Sequence, residues 1–206
     1  MKKLKKLWKI IWYEDSLLSW ILNVILAFVV IKYLVYPILS LILATGFPIV
    51  AVVSGSMEHS GSFDDWWASE ALCSYGKCKQ SDYYSEFGVS KEKFQTFSYS
   101  NGFNTGDIMV LYGTETKNLK VGDILVFQSR RPDPIIHRIV YIDNGKIQTK
   151  GDHNIKSISS NVLNEVDIKE NQVIGRAILR IPYLGYVKIA FVELLKLGGL
   201  NDGFLR

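Results

Sequence analysis

Residues that hold metals are scarce in this chain. Its 206 residues include two cysteines, Cys73 and Cys78, and three histidines, His59, His137 and His153. Two thiols beside His59 or His153 match no zinc-ligand spacing, so neither a metal nor a cofactor is expected. Charge is also thin: 21% of residues are charged, which excludes a disordered acidic or basic tail, and the net charge is only +4. The first sixteen residues hold Lys2, Lys3, Lys5, Lys6 and Lys9 against Glu14 and Asp15, which is +3 and leaves +1 for everything else. A basic nucleic-acid surface is thereby excluded. Internal repeats are absent, and the length fits one domain of about 150 residues with an additional segment.

That segment follows the lysines. From Leu17 to Met57 the one charged side chain is Lys32. Spanning a hydrocarbon core takes about 20 apolar residues, and Leu17 to about Pro37 supplies them, with Lys32 near the far end where its stem can snorkel. A cleaved secretory signal is the competing reading, but the run is too long and no early small-residue cleavage site follows. A hairpin of two spans would need a turn between Ile31 and Leu39, where none is written. Lysines before the span and none just after it put the N-terminus in the cytoplasm. The expected order is a cytoplasmic basic segment (1–16), a transmembrane anchor with its membrane-proximal stretch (17–45), an extracytoplasmic β-rich domain (46–186) and a C-terminal helix or tail (187–206). Residues 2–13 could alternatively lie in the interface as an amphipathic helix.

Beyond the anchor, short runs of Val, Ile, Leu and Tyr bounded by Gly, Asp, Asn or Pro read as strands: 49–53, 108–112, 124–128, 135–142, 146–150 and 173–181. Asp107 and Asp123, each after a glycine, read as strand-entry residues. Residues 58–105 are polar and aromatic, with Trp66, Trp67, Tyr83, Tyr84 and Phe94 among them, and look like an insertion or cap. On the extracytoplasmic side Cys73 and Cys78 would close a small disulfide loop. Val187–Leu197 is too short and too charged for a second span.

Ser54-Gly55-Ser56-Met57 follows the anchor closely, and a Ser-Gly-Ser triplet means little without a base. His137 lies in the strand 135–142, and Asp143-Asn144-Gly145-Lys146 after it carries the Asn-Gly pair of a two-residue type I′ turn. Carrying that register down the hairpin places His137 opposite Asp152, within reach of a carboxylate–imidazole hydrogen bond. The other imidazole nitrogen would then be free to take a proton from a serine. A bulge before Gly151 would break this facing pair.

Several motifs in order carry a family resemblance: Ser54-Gly55-Ser56-Met57 after an N-terminal anchor, Gly106-Asp107-Ile108-Met109-Val110, Val121-Gly122-Asp123-Ile124-Leu125, Ile136-His137-Arg138-Ile139-Val140, Thr149-Lys150-Gly151-Asp152, and Gly175-Arg176 through Pro182-Tyr183-Leu184-Gly185. Together they resemble type I signal peptidase, in the archaeal and endoplasmic-reticulum branch, since His137 stands where bacterial enzymes place a lysine. The resemblance implies a mostly β catalytic domain with an N-terminal transmembrane helix and a short C-terminal helix. It implies Ser56 as nucleophile, His137 as general base and Asp152 as the orienting acid, with the Ser56 amide and the Ser54 hydroxyl facing the oxyanion. The family's second aspartate has no counterpart within 154–158, and the next acids are Glu165 and Asp167. The implied partners are signal peptides of preproteins with small residues at −3 and −1, membrane lipid and the translocation channel, with no nucleic acid. The alternatives are a catalytically silent anchored β domain that binds a partner, and a processing protease of the same family with a narrower clientele.

Overall fold

A computed structural model describes residues 8–9, 12–14, 16–186 and 190. Lys2, Lys3, Lys5 and Lys6 of the basic segment, and all of the expected helix 187–206 but residue 190, lie outside the described residues. The chain divides into two compact units between Leu43 and Ala44.

The first unit carries a 26-residue helical stretch, Leu17–Ile42, long and apolar enough to cross a membrane. At about 1.5 Å per residue it exceeds the roughly 30 Å of a hydrocarbon core. Ser16 caps its start by accepting from the Ser19 amide. Helix α1 (Leu17–Val30) passes through a π-helical turn, Ile31–Val35, into α2 (Tyr36–Ile42). Pro37 explains the turn: proline has no N–H for the carbonyl four residues back and its ring crowds that carbonyl, which a wider turn relieves. Phe28, Ile31, Tyr33, Leu34 and Leu41 are all exposed on this stretch.

The second unit is built on a six-stranded sheet of order β1-β4-β8-β5-β6-β7, all pairs antiparallel. The strands are β1 (Ile49–Ala51), β4 (Ile108–Tyr112), β5 (Ile124–Phe127), β6 (Ile135–Asp143), β7 (Lys146–Lys150) and β8 (Val173–Ile181). Both faces are covered. Ile124 and Val126 of β5 pack with Val52, Met57, Phe103, Met109 and Leu111 on one side. Leu125 and Phe127 pack with Ile139, Ile147, Leu163 and Ile168 on the other. A strand buried on both faces reads as a continuous apolar run, as β5 does. Asp107 and Asp123 each accept from the amide three residues earlier, at 2.8 and 2.9 Å, and each follows a glycine with φ of +88° or +97°. They are strand-entry turns, the second paired with Arg176 at 3.3 Å.

The insertion folds as α3 (Phe63–Trp67), a hairpin of β2 (Glu70–Cys73) and β3 (Gly76–Lys79), α4 (Gln80–Glu86) and α5 (Lys91–Gln95). Trp66, Trp67, Tyr83, Tyr84, Val89 and Phe94 form its core together with Val140 of β6. Cys73 and Cys78 form a disulfide across the hairpin.

The β6–β7 hairpin turns at Asn144 and Gly145, with φ of +47° and +79° as a type I′ turn requires. Asp143 pairs with Lys146, Ile142 with Ile147 and Tyr141 with Gln148, but a bulge at Val140 then shifts the register, so Ile139 pairs with Thr149 and Arg138 with Lys150. The expected pairing of His137 with Asp152 therefore does not form. Val140 is the extra residue, fully buried among the insertion's aromatic rings. A one-residue slip exchanges the two faces of a strand, so Asp152 lies with Arg138, while His137 points to the opposite side.

Candidate active site

Two backbone bonds fasten the chain as it leaves β1, the Val52 amide donating to the Asp107 carbonyl and the Gly106 amide to the Val52 carbonyl. A turn closed by the Glu58 amide on the Gly55 carbonyl at 3.1 Å follows. Met57 is fully buried and locks this turn into the core. Ser54 and Ser56 are left facing outward with their hydroxyl oxygens 3.2 Å apart.

The Ser56 hydroxyl is 2.9 Å from Nε2 of His137. His137 is the third residue of β6, a strand paired on both edges, and is 4% exposed, so its ring is closely confined. Its Nδ1 meets Oε1 of Glu165, which is completely buried. Glu165 is fixed in turn by the Thr149 hydroxyl at 3.2 Å and by the Ile158 amide, which donates to Oε2 at 2.7 Å. An ionised carboxylate only accepts, so the proton belongs on Nδ1 and Nε2 is left as acceptor for the serine O–H. Serine, imidazole and carboxylate thus stand in a line, the arrangement that activates a hydroxyl for attack.

Gly151 makes this closeness possible. A Cβ at that position would lie 2.8 Å from His137 Nε2, 2.8 Å from the Ser56 carbonyl oxygen and 2.6 Å from the Asn154 side chain. The His153 amide donates to the Ser56 carbonyl at 2.9 Å and completes the contact between the two turns. A cleft of about 200 Å³ opens on Ser56 and His137, with Ala51, Val53, Ile136, Ile158 and Leu163 in its walls.

No family model matches the chain. Among curated proteins, the signal peptidase complex catalytic subunit sec11 of Sclerotinia sclerotiorum is 32% identical over 103 residues, which are 47% of this chain and 60% of that protein. The protein of the same name from Neurospora crassa matches to the same extent. Signal peptidase complex catalytic subunit SEC11C of Canis lupus familiaris is 34% identical over 109 residues, 45% of this chain and 52% of its own length. Over about half its length the chain is similar to signal peptidase complex catalytic subunits. It spans about 60% of the length of the first relatives it matches, and its mostly β domain after an apolar N-terminal helix is consistent with the signal peptidase type.

The residues expected at the site part into two groups. Ser54, Ser56 and His137 meet at the cleft, whereas Asp152 makes no bond to His137. Its carboxylate accepts from Arg138 Nε at 2.9 Å and Nη2 at 2.7 Å, from the Tyr84 hydroxyl at 3.1 Å and from His59 Nε2 at 3.0 Å. Burial alone would raise its pKa. Arg138 and then His59 outweigh burial and hold the carboxyl well below the usual carboxylate range. The acid on His137 is Glu165, which the register of one hairpin could not reveal. The sequence Leu163-Asn164-Glu165-Val166 does not alternate apolar with polar and so does not mark it, although the fold buries Leu163 and Glu165 together. His153 lends its amide rather than its ring. Among the described residues no three His, Cys, Asp or Glu side chains gather as metal ligands would.

Proposed function

We propose that this chain is a membrane-anchored serine endopeptidase that removes signal peptides from preproteins as they leave the translocation channel. Ser56 Oγ attacks the scissile carbonyl while its proton passes to His137 Nε2, and the Nδ1–H bond to Glu165 stabilises the imidazolium that results. The negative oxygen of the tetrahedral intermediate is received by the Ser56 amide and the Ser54 hydroxyl. The intermediate collapses as His137 returns the proton to the leaving amine. Water then attacks the acyl–serine ester with His137 again taking a proton, releasing the signal peptide and restoring Ser56. Glu165 takes the orienting role in place of Asp152, because it alone bonds the histidine.

The observation that carries this proposal is the 2.9 Å contact between Ser56 and His137 with Glu165 behind it, at the mouth of a cleft. The cleft's small volume, with Ala51, Val53, Ile136 and Leu163 in a wall shared with Arg131 and Asn154, supports acceptance of small side chains beside the cleaved bond. Ser56 follows the end of the apolar stretch, Ile42, by 14 residues of chain. A signal peptide's apolar core is also embedded in lipid, so a nucleophile tethered this close meets the cleavage site at high effective concentration. The Cys73–Cys78 disulfide and the leading lysines support a single-pass topology with the N-terminus cytoplasmic and the β domain outside. The relatives are named as subunits of a complex, which supports accessory subunits here.

Full-length protein in lipid vesicles, incubated with several preproteins and assayed by sequencing the new N-termini, tests the proposal. Wild type is expected to cut each after its signal peptide, and Ser56→Ala to leave all intact. Equal processing by Ser56→Ala would refute a serine mechanism. Cutting of one preprotein alone would favour a narrow processing protease.

A further inference from the structure

The insertion holds the loop that follows β7 at most of its positions. Lys150 Nζ donates to Gln80 Oε1 at 2.8 Å. Asp152 receives His59, Tyr84 and, on its carbonyl, Trp66 Nε1 at 2.9 Å. Gln80 Nε2 donates to the Asn154 carbonyl at 3.1 Å, the Leu72 amide to the Ile155 carbonyl at 2.8 Å, and the Tyr83 and Ser157 hydroxyls are 2.9 Å apart. This loop also touches the reacting groups. His153 bonds the Ser56 carbonyl, the Asp152 amide approaches Met57 sulfur at 3.4 Å, and Ile158 bonds Glu165.

We infer that the insertion is a brace for the active site, and that His59, Trp66 and Tyr84 are positioning residues acting on Ser56 through Asp152 and the Gly151–His153 turn. The inference rests on the serine mechanism proposed above. His59 is built for this place. Its side chain is 3% exposed, and its ring stacks on Trp66 with centroids 3.7 Å apart and planes 6° from parallel. A Cβ at Gly102 would fall 2.7 Å from its Cδ2, so the ring is confined on that side too. The aromatic residues that a docking surface would need exposed, Trp66, Trp67, Tyr84 and Phe94, are instead buried. Because Gly151 leaves no room between itself and the Ser56 and His137 atoms, a small displacement of the turn reaches the serine–imidazole contact directly. Misplacement of reacting groups by about 1 Å can cost roughly 100-fold in rate.

Steady-state cleavage of one preprotein by the purified full chain tests the brace. His59→Phe keeps the stacked ring and loses the bond to Asp152, Trp66→Phe loses the N–H, and His59→Gln restores a donor. Each variant is first melted to establish that it is folded at the assay temperature. The expected result is a kcat about tenfold lower in His59→Phe and Trp66→Phe, with KM within about twofold of wild type, and most of the kcat recovered in His59→Gln. Should His59→Phe not fold, Tyr84→Phe, which loses one oxygen, carries the same expectation. Folded variants with wild-type kcat, or His59→Gln as slow as His59→Phe, would overturn the inference. Ser56→Ala is assayed in parallel: cleavage by that variant would instead overturn the serine mechanism beneath it.

Discussion

Arg138 Nη2 lies 2.7 Å from Asp152 Oδ2, and both side chains are completely buried. The aspartate of the Gly-Asp motif is thus one half of an internal ion pair. Its folded-state pKa is depressed, so its contribution to stability is present above the ordinary value of 3.8 and is lost as pH falls below it. Asp152→Asn would leave a buried guanidinium without its counter-charge. We expect it to lower the unfolding free energy by about 3–5 kcal/mol at neutral pH. Urea unfolding of the full chain in detergent checks the value, and the wild-type advantage over the variant should shrink on acidification below pH 3.8.

Lys150 sits beneath the same cluster, over the rings of Tyr83 and Tyr84. Burial, outweighing the Asp152 and Glu165 carboxylates, lowers its pKa from 10.5 to about 7. Between those values the unfolded chain binds more protons at this site than the folded one, so the site contributes stability that rises with pH across the window. Lys150→Met, which keeps the volume, should remove that rise. Melting temperatures of wild type and variant at about pH 7 and about pH 10 measure it as the change in their difference.

Gly151→Ala adds a single methyl group between Ser56 and His137, in contact distance of both. Cleavage should fall by at least about 100-fold, because the methyl can be accommodated only by moving the imidazole or the serine turn. A kcat near wild type in a folded Gly151→Ala chain would mean that the two turns are not closely packed.

Much of this architecture was written in the local pattern. The runs at 108–112, 146–150 and 173–181 are strands with the same ends, and Asn144-Gly145 makes the turn that its backbone preferences require. Ser56 and His137 were legible because one follows the anchor and the other sits within a strand-like run. Asp152 misled for a physical reason. The bulge at Val140 is set by an aromatic core that assembles from residues far away in the chain, and no local signal marks the slipped register. Glu165 was hidden likewise, since it reaches His137 through the pairing of residues 158–165 with each other and with Thr149. The insertion's aromatic content was plain, but that its rings close over Asp152 depends on where the sheet places that turn.

The exchange of Asp152 for Glu165 at the histidine is the claim on which the site depends, and the kcat of Glu165→Gln tests it most directly. The glutamine amide must either turn its NH₂ toward His137, forcing the wrong tautomer, or turn it toward the Ile158 amide, opposing two donors. With the variant folded at the assay temperature and KM within about twofold, kcat is expected to be at least about 100-fold below wild type. A folded Glu165→Gln chain that cleaves a preprotein within about twofold of the wild-type rate would contradict it.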